Sequence, residues 1–365
     1  MLQKLGLDKW IMLGALMVLS LSCVEEDKGD AAVQDNFDRQ ALLSFWADEI
    51  IIPAYENYSE ELGQFDSLVQ SYRAKQLQSD LIALKAQFQK AYIAWQWVSI
   101  YEIGPAESRG LRNYSNVYPC DTAELLGLAS SANYNLSLPS TFDVQGWPAV
   151  DYLLFGPNDL SVSPELRQYL SDLSQRLLNL SQATLQDWKN SYRNSFVANA
   201  GSSADASVNK LINDFVYHYE KELRAGKIGI PAGVFSGMPL SNRAEAYYNG
   251  DLSKQLFLES LEAHRRFFSG LSYDSLNRGP SLKAYLDYLQ IEENGTLLST
   301  RIEDQFDLVK QVASSLDSNL AKAATDQTTT MLQTFDALQQ NVIWMKVDMM
   351  QALNVRVDYV DADGD

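Results

Sequence analysis

The residues best suited to chemistry lie in short loops where charged and aromatic side chains gather. One of these loops runs Gly146-Trp-Pro-Ala-Val-Asp151 and leads into the apolar segment Tyr152-Leu-Leu-Phe155. Pro148 suits the first position of a helix, so Asp151 would fall in the first turn, where free amides and the helix dipole stabilise a carboxylate. The simpler interpretation, which the spacing alone favours, is a helix start with a buried Trp147.

A second loop, residues 101–113, carries two acids and two arginines just beyond a helix rich in aromatic residues. These are Glu102, Glu107, Arg109 and Arg112. Such clusters are usually solvated ion pairs that contribute little each, and they form a site only if a cleft gathers them. Two further polar patches are Asn213-Asp214 with Glu220, and Lys346 with Asp348. Lys346 and Asp348 fall in the apolar predicted helix 342–353, and charges inside such a helix are usually paired or lie at an interface.

The sequence lacks the standard catalytic motifs. Its two histidines, His218 and His264, belong to no HExxH pair and to no other close metal-ligand spacing. No GxSxG nucleophile elbow, Walker loop or GxGxxG turn occurs. Each histidine borders an apolar helix stripe, which favours a hydrogen-bonded packing role. Cys120 is predicted to be structural.

The charge balance limits the possible partners. The formal net charge is −18, from 47 acidic and 29 basic residues. A field of this sign repels phosphate backbones and anionic lipid surfaces, so we expect no binding to nucleic acid. Cations, basic peptides and neutral ligands remain possible partners.

The N-terminal residues predict export. The apolar run 10–21 is shorter than the roughly 20 residues that a membrane-spanning helix needs, and it leads into Leu19-Ser-Leu-Ser-Cys23, which resembles a lipobox. Residues 1–22 are therefore predicted to be a lipoprotein signal peptide, with a lipid on Cys23 as the membrane contact. An ordinary signal peptide or an uncleaved anchor is the alternative. The acidic segment 23–35 is predicted to be a tether. It also resembles the acidic export tag that some Gram-negative bacteria place after the lipidated cysteine, so we expect the protein at the outer membrane, facing the periplasm or the cell exterior.

Apolar residues recur with helical spacing through most of the remaining chain. The stripes lie at 77–98, 166–180, 208–223, 302–309 and 331–349. No segment shows sustained two-residue alternation, so the predicted fold class is all-α, with helical bundles packed side by side. Because the segment 201–207 resembles a linker, the bundles are placed at residues 36–204 and 205–365. A weak echo between Glu102-Ile-Gly-Pro105 and Lys227-Ile-Gly-Ile-Pro231 indicates that the two halves are related.

Three features together carry a family resemblance. They are Trp95 and Trp97 in the helix that runs into Glu102-Ile-Gly-Pro105, the Gly146–Asp151 segment, and the terminal Asp361-Ala-Asp-Gly-Asp365. With these features the sequence is similar, over about residues 36–365, to the imelysin family of bacterial lipoproteins, which is also classified as a peptidase family and as iron-regulated proteins. The resemblance implies two helical bundles related by duplication, with the motif lining a cleft between them.

The family motif is Gly-x-His-x-x-Glu, and this sequence departs from it twice. Pro148 stands at the histidine position and Asp151 at the glutamate position. Proline has no ligand atom and no titratable group, so a His/Glu metal pair cannot form at this corner. The departure argues against metallopeptidase catalysis.

The favoured hypothesis is an envelope protein that binds a small polar ligand, a metal ion or a peptide in an inter-bundle cleft. The candidate binding residues are Glu102, Arg109, Gly146, Trp147, Pro148, Asp151 and Asp214. The sequence names no cofactor; a link to iron or haem uptake follows only from the resemblance, and haem would require His218 or His264 in the cleft. The alternatives are a divergent metallopeptidase that uses Glu102 and Asp151 with calcium or magnesium, or a non-catalytic surface docking protein.

Overall fold

The computed structural model describes residues 35–359 of the chain. The predicted signal peptide, Cys23, nearly all of the tether and the terminal residues 361–365 lie outside the described residues. Within the described part the chain is almost entirely helical. Its strands there are limited to one short antiparallel hairpin, Glu292–Glu293 with Thr296–Leu297. The all-α prediction is confirmed.

The elements up to residue 198 are α1 (Arg39–Phe45), a π-helical segment (Trp46–Ile51), α2 (Ile52–Lys75), α3 (Gln78–Val98), α4 (Pro105–Arg109), α5 (Leu111–Ser115), α6 (Thr122–Ser131), a 3-10 turn (Pro139–Val144), α7 (Gly146–Phe155), α8 (Pro164–Asp187), a π-helical segment (Trp188–Tyr192) and α9 (Arg193–Ala198). The chain continues with α10 (Ser207–Tyr217), a π-helical segment (His218–Gly229), α11 (Ile230–Ala232), 3-10 turns (Ser241–Arg243 and Gly250–Leu252), α12 (Ser253–Ser269) and α13 (Leu282–Leu289). The last elements are β1 (Glu292–Glu293), β2 (Thr296–Leu297), α14 (Leu298–Ala313), α15 (Leu320–Asp326), α16 (Thr328–Ile343), a π-helical segment (Trp344–Met349) and α17 (Met350–Ala352).

Two groups of long helices form the bundles. In the first group α2 packs against both α3 and α8, and α7 lies against α8. In the second group α14 packs against α16, and α16 lies against the π-helical segment His218–Gly229. Most residues of the predicted stripes face these interfaces, as the fully buried Leu84, Phe88 and Leu338 illustrate. Leu77, the first residue of the stripe at 77–98, is an exception, because it precedes α3 and is 51% exposed. Burying each such side chain contributes about 1.5–3 kcal/mol. The two groups are joined where α12 packs on α3.

Two of the π-helical segments end beside a proline. Trp46–Ile51 is followed by Pro53 and His218–Gly229 by Pro231. Proline lacks an amide donor, and its ring clashes with the carbonyl one turn earlier, so a wider turn in front of it relieves both problems. The wider turn also changes which way the following side chains face. The side chains of residues 218–229 therefore point in other directions than they would in a regular α-helix.

The described residues from Asp38 onwards form one compact unit. The predicted boundary between residues 204 and 205 falls in the loop that joins α9 to α10. That boundary and the duplication of the two halves stay predictions. No helix within residues 35–359 is both long enough and apolar enough to cross a membrane.

Candidate functional site

A polar cleft lies between elements of the two helical groups. It has a volume of about 340 Å³, and its walls come from the loop after α3, from α4, α5 and α10, from the π-helical segment His218–Gly229 and from the C-terminal residues. We name it the Arg112 cleft. It is lined by Glu102, Ile103, Glu107, Arg112, Asn113, Lys210, Asn213, Asp214, Tyr217, Glu222, Asp358 and Tyr359.

The Arg112 guanidinium organises this cleft. Its Nε and Nη2 atoms donate to the backbone carbonyl of Ser99 at 3.1 and 2.7 Å, and Nη2 lies 3.0 Å from the Asp214 carboxylate. Asp214 also accepts a hydrogen bond from the backbone amide of Glu102 at 2.6 Å. Because Arg112 belongs to α5 and Asp214 to α10, this ion pair ties the two helical groups together.

Glu102 is held by the first turn of α5. Its carboxylate oxygens accept hydrogen bonds from the backbone amide of Arg112 at 3.1 and 3.0 Å, and this amide has no partner inside the helix. Gly110, at a φ of +59°, turns the chain immediately before α5. Burial raises the pKa of Glu102 to about 7, while the charge and the amide of Arg112 act in the opposite direction. Glu102 therefore changes its protonation near neutral pH.

Glu222 is a carboxylate of the cleft that has no partner among residues 35–359. Within the described residues it makes no hydrogen bond and no ion pair. Burial raises its pKa, and the charges of Arg112 and Lys227 oppose that rise only in part. Burial also raises the pKa of Asp214, against the effect of Arg112. A bound cation would stabilise the ionised forms of these acids.

Two tyrosines supply the aromatic part of the lining. The ring centroid of Tyr217 lies 5.6 Å from the Arg112 guanidinium carbon and 5.3 Å from the ring of Tyr359, which meets it edge-on. Asn213 holds the C-terminal segment in place, because it accepts from the amide of Asp358 and donates to the carbonyl of Arg356, both at 3.0 Å. The last described residues thus form one wall of the cleft.

Asp151 lies in a separate, smaller cavity of about 230 Å³ that Pro148, Cys120 and Tyr248 also line. Its expected place in the first turn is wrong, because α7 begins at Gly146 and no acid occupies the first turn. Instead its two oxygens accept from the backbone amides of Tyr248 and Asn249 at 2.8 and 2.9 Å. Burial raises the pKa of Asp151 to about 7 against these two hydrogen bonds.

A buried carboxylate, Glu245, connects the two cavities electrostatically. It forms an ion pair with Lys227 and accepts from the side-chain amides of Asn116 at 2.7 Å and Gln96 at 3.3 Å. Its negative charge raises the pKa values of both Glu222 and Asp151. One buried carboxylate therefore acts on an acid in each cavity.

The two histidines, distant in sequence, form a pair in the core. Nδ1 of His264 donates to the carbonyl of Ser260 at 2.7 Å, so its Nε2 accepts from Nδ1 of His218 at 3.2 Å. Burial lowers the pKa of His264 to about 3 and lowers that of His218 as well. Neither ring lines a cavity described here. The arrangement does not fit haem ligation.

Over residues 35–359, no group of three or more His, Cys, Asp or Glu side chains could hold a metal ion.

The predicted site residues are distributed over several places. Glu102 and Asp214 both line the Arg112 cleft. Pro148 and Asp151 line the smaller cavity. Arg109 points elsewhere: it forms an ion pair of 2.5 Å with Asp187 and lines a different groove.

Trp147 and Gly146 serve the core of the first bundle. The Trp147 ring is fully buried, stacks on Tyr92 at 5.2 Å and donates from Nε1 to the hydroxyl of Tyr58 at 3.2 Å. Gly146 has a φ of +73°, and a Cβ atom there would lie 2.3 Å from the carbonyl oxygen of Ser115. Neither residue is placed to contact a ligand. Trp147 is therefore a buried residue at a helix start, which was the simpler interpretation of this loop.

Sequence reasoning missed several residues of the cleft. Arg112 was noted only as part of a charged loop, and Tyr217 and Glu222 were not identified. The available signal was the density of charges at 220–227 within an otherwise apolar helix. The direction in which the side chains at 220–227 point depends on π-helical geometry, and the 3.6-residue period of an α-helix does not predict it.

Comparison with known proteins identifies a family. The imelysin family model, classified as peptidase M75, matches residues 51–342. No curated protein matches the chain. An imelysin-like protein from Psychrobacter arcticum 273-4 superposes with a TM-score of 0.70 at 18% identity, over 88% of this chain and 97% of that one. A putative iron-regulated protein A precursor from Parabacteroides distasonis ATCC 8503 gives 0.69 at 17% identity, over 86% and 95%. At these identities the structures support the fold alone.

The raised pKa of Asp151 predicts a measurable pH dependence of stability. Its folded pKa of about 7 exceeds the ordinary value of about 3.9, so its stabilising contribution is complete below pH ~4 and is lost as the pH rises through 7. Relative to Asp151→Asn, the wild type should lose roughly 1–4 kcal/mol of unfolding free energy between pH 4 and 8. Urea titrations at several pH values measure this difference.

The control is Asp336→Asn, which changes an exposed acid of α16 and should alter stability by less than about 0.5 kcal/mol. A difference between the wild type and Asp151→Asn that stays constant from pH 4 to 8 would contradict the prediction.

Proposed function

This chain belongs to the imelysin family, and we propose that it is a cell-envelope protein that binds a small polar ligand with a positively charged group in the Arg112 cleft. The observation that carries the proposal is the carboxylate of Glu222, which lines the cleft without a hydrogen bond or ion pair in the described chain. The cation that lowers the pKa of Glu222 most, Arg112, is already paired with Asp214. A ligand cation would supply the missing partner.

The charges of the cleft favour a cation. Its lining contains the acids Glu102, Glu107, Asp214, Glu222 and Asp358 and the bases Arg112 and Lys210. The net charge of −18 for the whole chain adds a field of the same sign, which raises the local concentration of cations. Buried carboxylates with raised pKa values are typical of functional sites.

The aromatic lining favours an organic cation. Tyr217 and Tyr359 line the cleft, and tyrosine faces attract ammonium groups within about 6 Å. One face of each ring already meets a protein cation, Arg112 at 5.6 Å and Lys346 at 4.9 Å, so a ligand would contact the rest of each ring. A volume of about 340 Å³ is at the lower end of the range for small-molecule sites. A protonated amine on a short polar or aliphatic body therefore suits the cleft, and the N-terminus of a peptide has the same chemistry.

A metal ion is the less favoured occupant. The acids of the cleft offer only oxygen atoms, which hard cations prefer, but no group of three or more of them among residues 35–359 could hold an ion. Because the Parabacteroides structure is described as a putative iron-regulated protein A precursor, metal binding is measured beside amine binding.

Butane-1,4-diamine, with butane-1,4-diol as its neutral counterpart, tests the cation site. Calorimetric titration should show binding of the diamine and none of the diol. Glu222→Gln should weaken diamine binding by about 10- to 100-fold, because it removes a charge-assisted hydrogen bond of about 1.5–3 kcal/mol. Binding should be tighter at pH 8 than at pH 6, since Glu102, with a pKa of about 7, is then ionised.

The matched control is Glu124→Gln, which alters an exposed acid of α6 and should leave the affinity unchanged. Equal binding of diol and diamine, or equal affinities of the two variants, would reject an amine site. A thermal shift caused by Ca²⁺ or Mg²⁺, lost in Glu222→Gln, without any diamine binding, would favour the metal ion instead.

The location is part of the proposal. The lipobox-like Leu19-Ser-Leu-Ser-Cys23 supports a lipid anchor on Cys23. The acidic residues after it support a tether that carries the helical unit away from the outer membrane, on the periplasmic or the external side.

Metabolic labelling with a radioactive fatty acid tests the anchor. Full-length protein should carry the label and partition into detergent, Cys23→Ser should do neither, and Cys120→Ser should behave like the wild type. Label on the Cys23→Ser variant, or an unlabelled wild type, would refute the anchor.

A further inference from the structure

A second groove lies on the first bundle and shares no lining residue with the Arg112 cleft. It has a volume of about 530 Å³, and we name it the Arg176 groove. The residues of its lining that matter are Arg109, Tyr134, Leu136, Asp172, Arg176 and Leu180.

Arg176 is half-buried in this groove and has no acidic partner. Its Nε donates to the side-chain oxygen of Gln145 at 2.7 Å, and its guanidinium carbon lies 4.3 Å from the ring centroid of Tyr114. Within residues 35–359 no carboxylate forms an ion pair with it, and its terminal nitrogens donate to no protein acceptor. Burial lowers the pKa of Arg176, with the Tyr114 phenol opposing, which is the direction expected for an unpaired cation.

The surroundings hold Arg176 in one orientation. The side-chain nitrogen of Gln145 donates to the carbonyls of Leu136 and Thr141, both at 2.9 Å, so its oxygen must face the arginine. The hydroxyl of Tyr114 donates to the carbonyl of Ser137 at 2.6 Å, which fixes the ring under the guanidinium. Neither the Gln145 contact nor the Tyr114 contact uses the terminal nitrogens of the Arg176 guanidinium, so these nitrogens are available to a ligand.

The other charges of the groove are already engaged. Asp172 lies one helical turn before Arg176 on α8, but its oxygens accept from the Tyr134 hydroxyl at 2.6 Å and from the Gln168 amide at 2.9 Å. Arg109 is paired with Asp187 at 2.5 Å. Arg176 is thus the cation of this groove that lacks an anion.

We propose that the Arg176 groove binds the carboxylate of a small organic acid. The planar guanidinium fork matches a carboxylate in a bidentate geometry, and Leu136 and Leu180 offer apolar surface to the body of such a ligand. The carboxylate of Asp172 and the net charge of −18 act against ligands with several negative charges. The favoured ligand is a monoanion with an apolar body.

Benzoate is the probe, with benzamide as its neutral isostere and phenyl phosphate as the more highly charged alternative. Ligand-observed NMR titration of the full chain should rank benzoate first. Arg176→Gln should weaken benzoate binding about 10-fold or more, because a hydrogen bond to a charged group contributes about 1.5–3 kcal/mol. Arg176→Lys, which keeps the charge but loses the fork, should give an intermediate affinity.

The matched control is Arg243→Gln, which removes an exposed guanidinium from a different surface and should leave benzoate affinity unchanged. Glu222→Gln should also leave it unchanged, which separates this groove from the Arg112 cleft. If Arg176→Gln does not fold, Arg176→Lys decides the matter. Equal binding of benzoate and benzamide, or wild-type affinity in Arg176→Lys, would overturn the proposal, and a preference for phenyl phosphate would reject the carboxylate.

Discussion

The structure depends on how it accommodates the buried guanidinium of Arg112. A charge taken out of water is costly unless carboxylates and carbonyls replace the lost hydration. Asp214 from the other helical group and the carbonyl of Ser99 do so here. The same ion pair links α5 to α10, and the free amide at the start of α5 captures Glu102. Arg112 therefore adds a charged link between the bundles to the packing of α12 on α3, and it shapes the cleft.

A charge network of this kind has consequences for function. Once Asp214 neutralises Arg112, the carboxylate of Glu222 remains without a partner among residues 35–359, and Glu245 adds further negative charge from the interior. The cleft thus holds an unfavourable concentration of acids that the proposed ligand cation would relieve. Sites often retain such destabilising arrangements because the same groups bind the ligand. The corner around Asp151 differs, since its carboxylate is fully engaged by two backbone amides.

The sequence predicts features that depend on local periodicity. The stripe through Leu84 and Phe88 predicts a buried helix face because that pattern repeats within one helix. Burial of Trp147 follows in the same way from its place at a helix start. The ion pair of Arg112 and Asp214 joins residues 102 positions apart, and no local pattern encodes that distance. The position of Glu222 in the cleft is harder still to predict from the sequence, because this residue lies in a π-helical segment. The pairing of His218 with His264 likewise required two helices to meet.

A crystal structure of the protein with butane-1,4-diamine would show whether the Arg112 cleft is a cation site. We expect an ammonium nitrogen about 3 Å from the Glu222 carboxylate and close to the ring of Tyr217, with the ion pair of Arg112 and Asp214 unchanged. A diamine bound at Asp151 instead, or a Glu222 side chain turned away from it in an occupied cleft, would exclude Glu222 as the partner of the ligand.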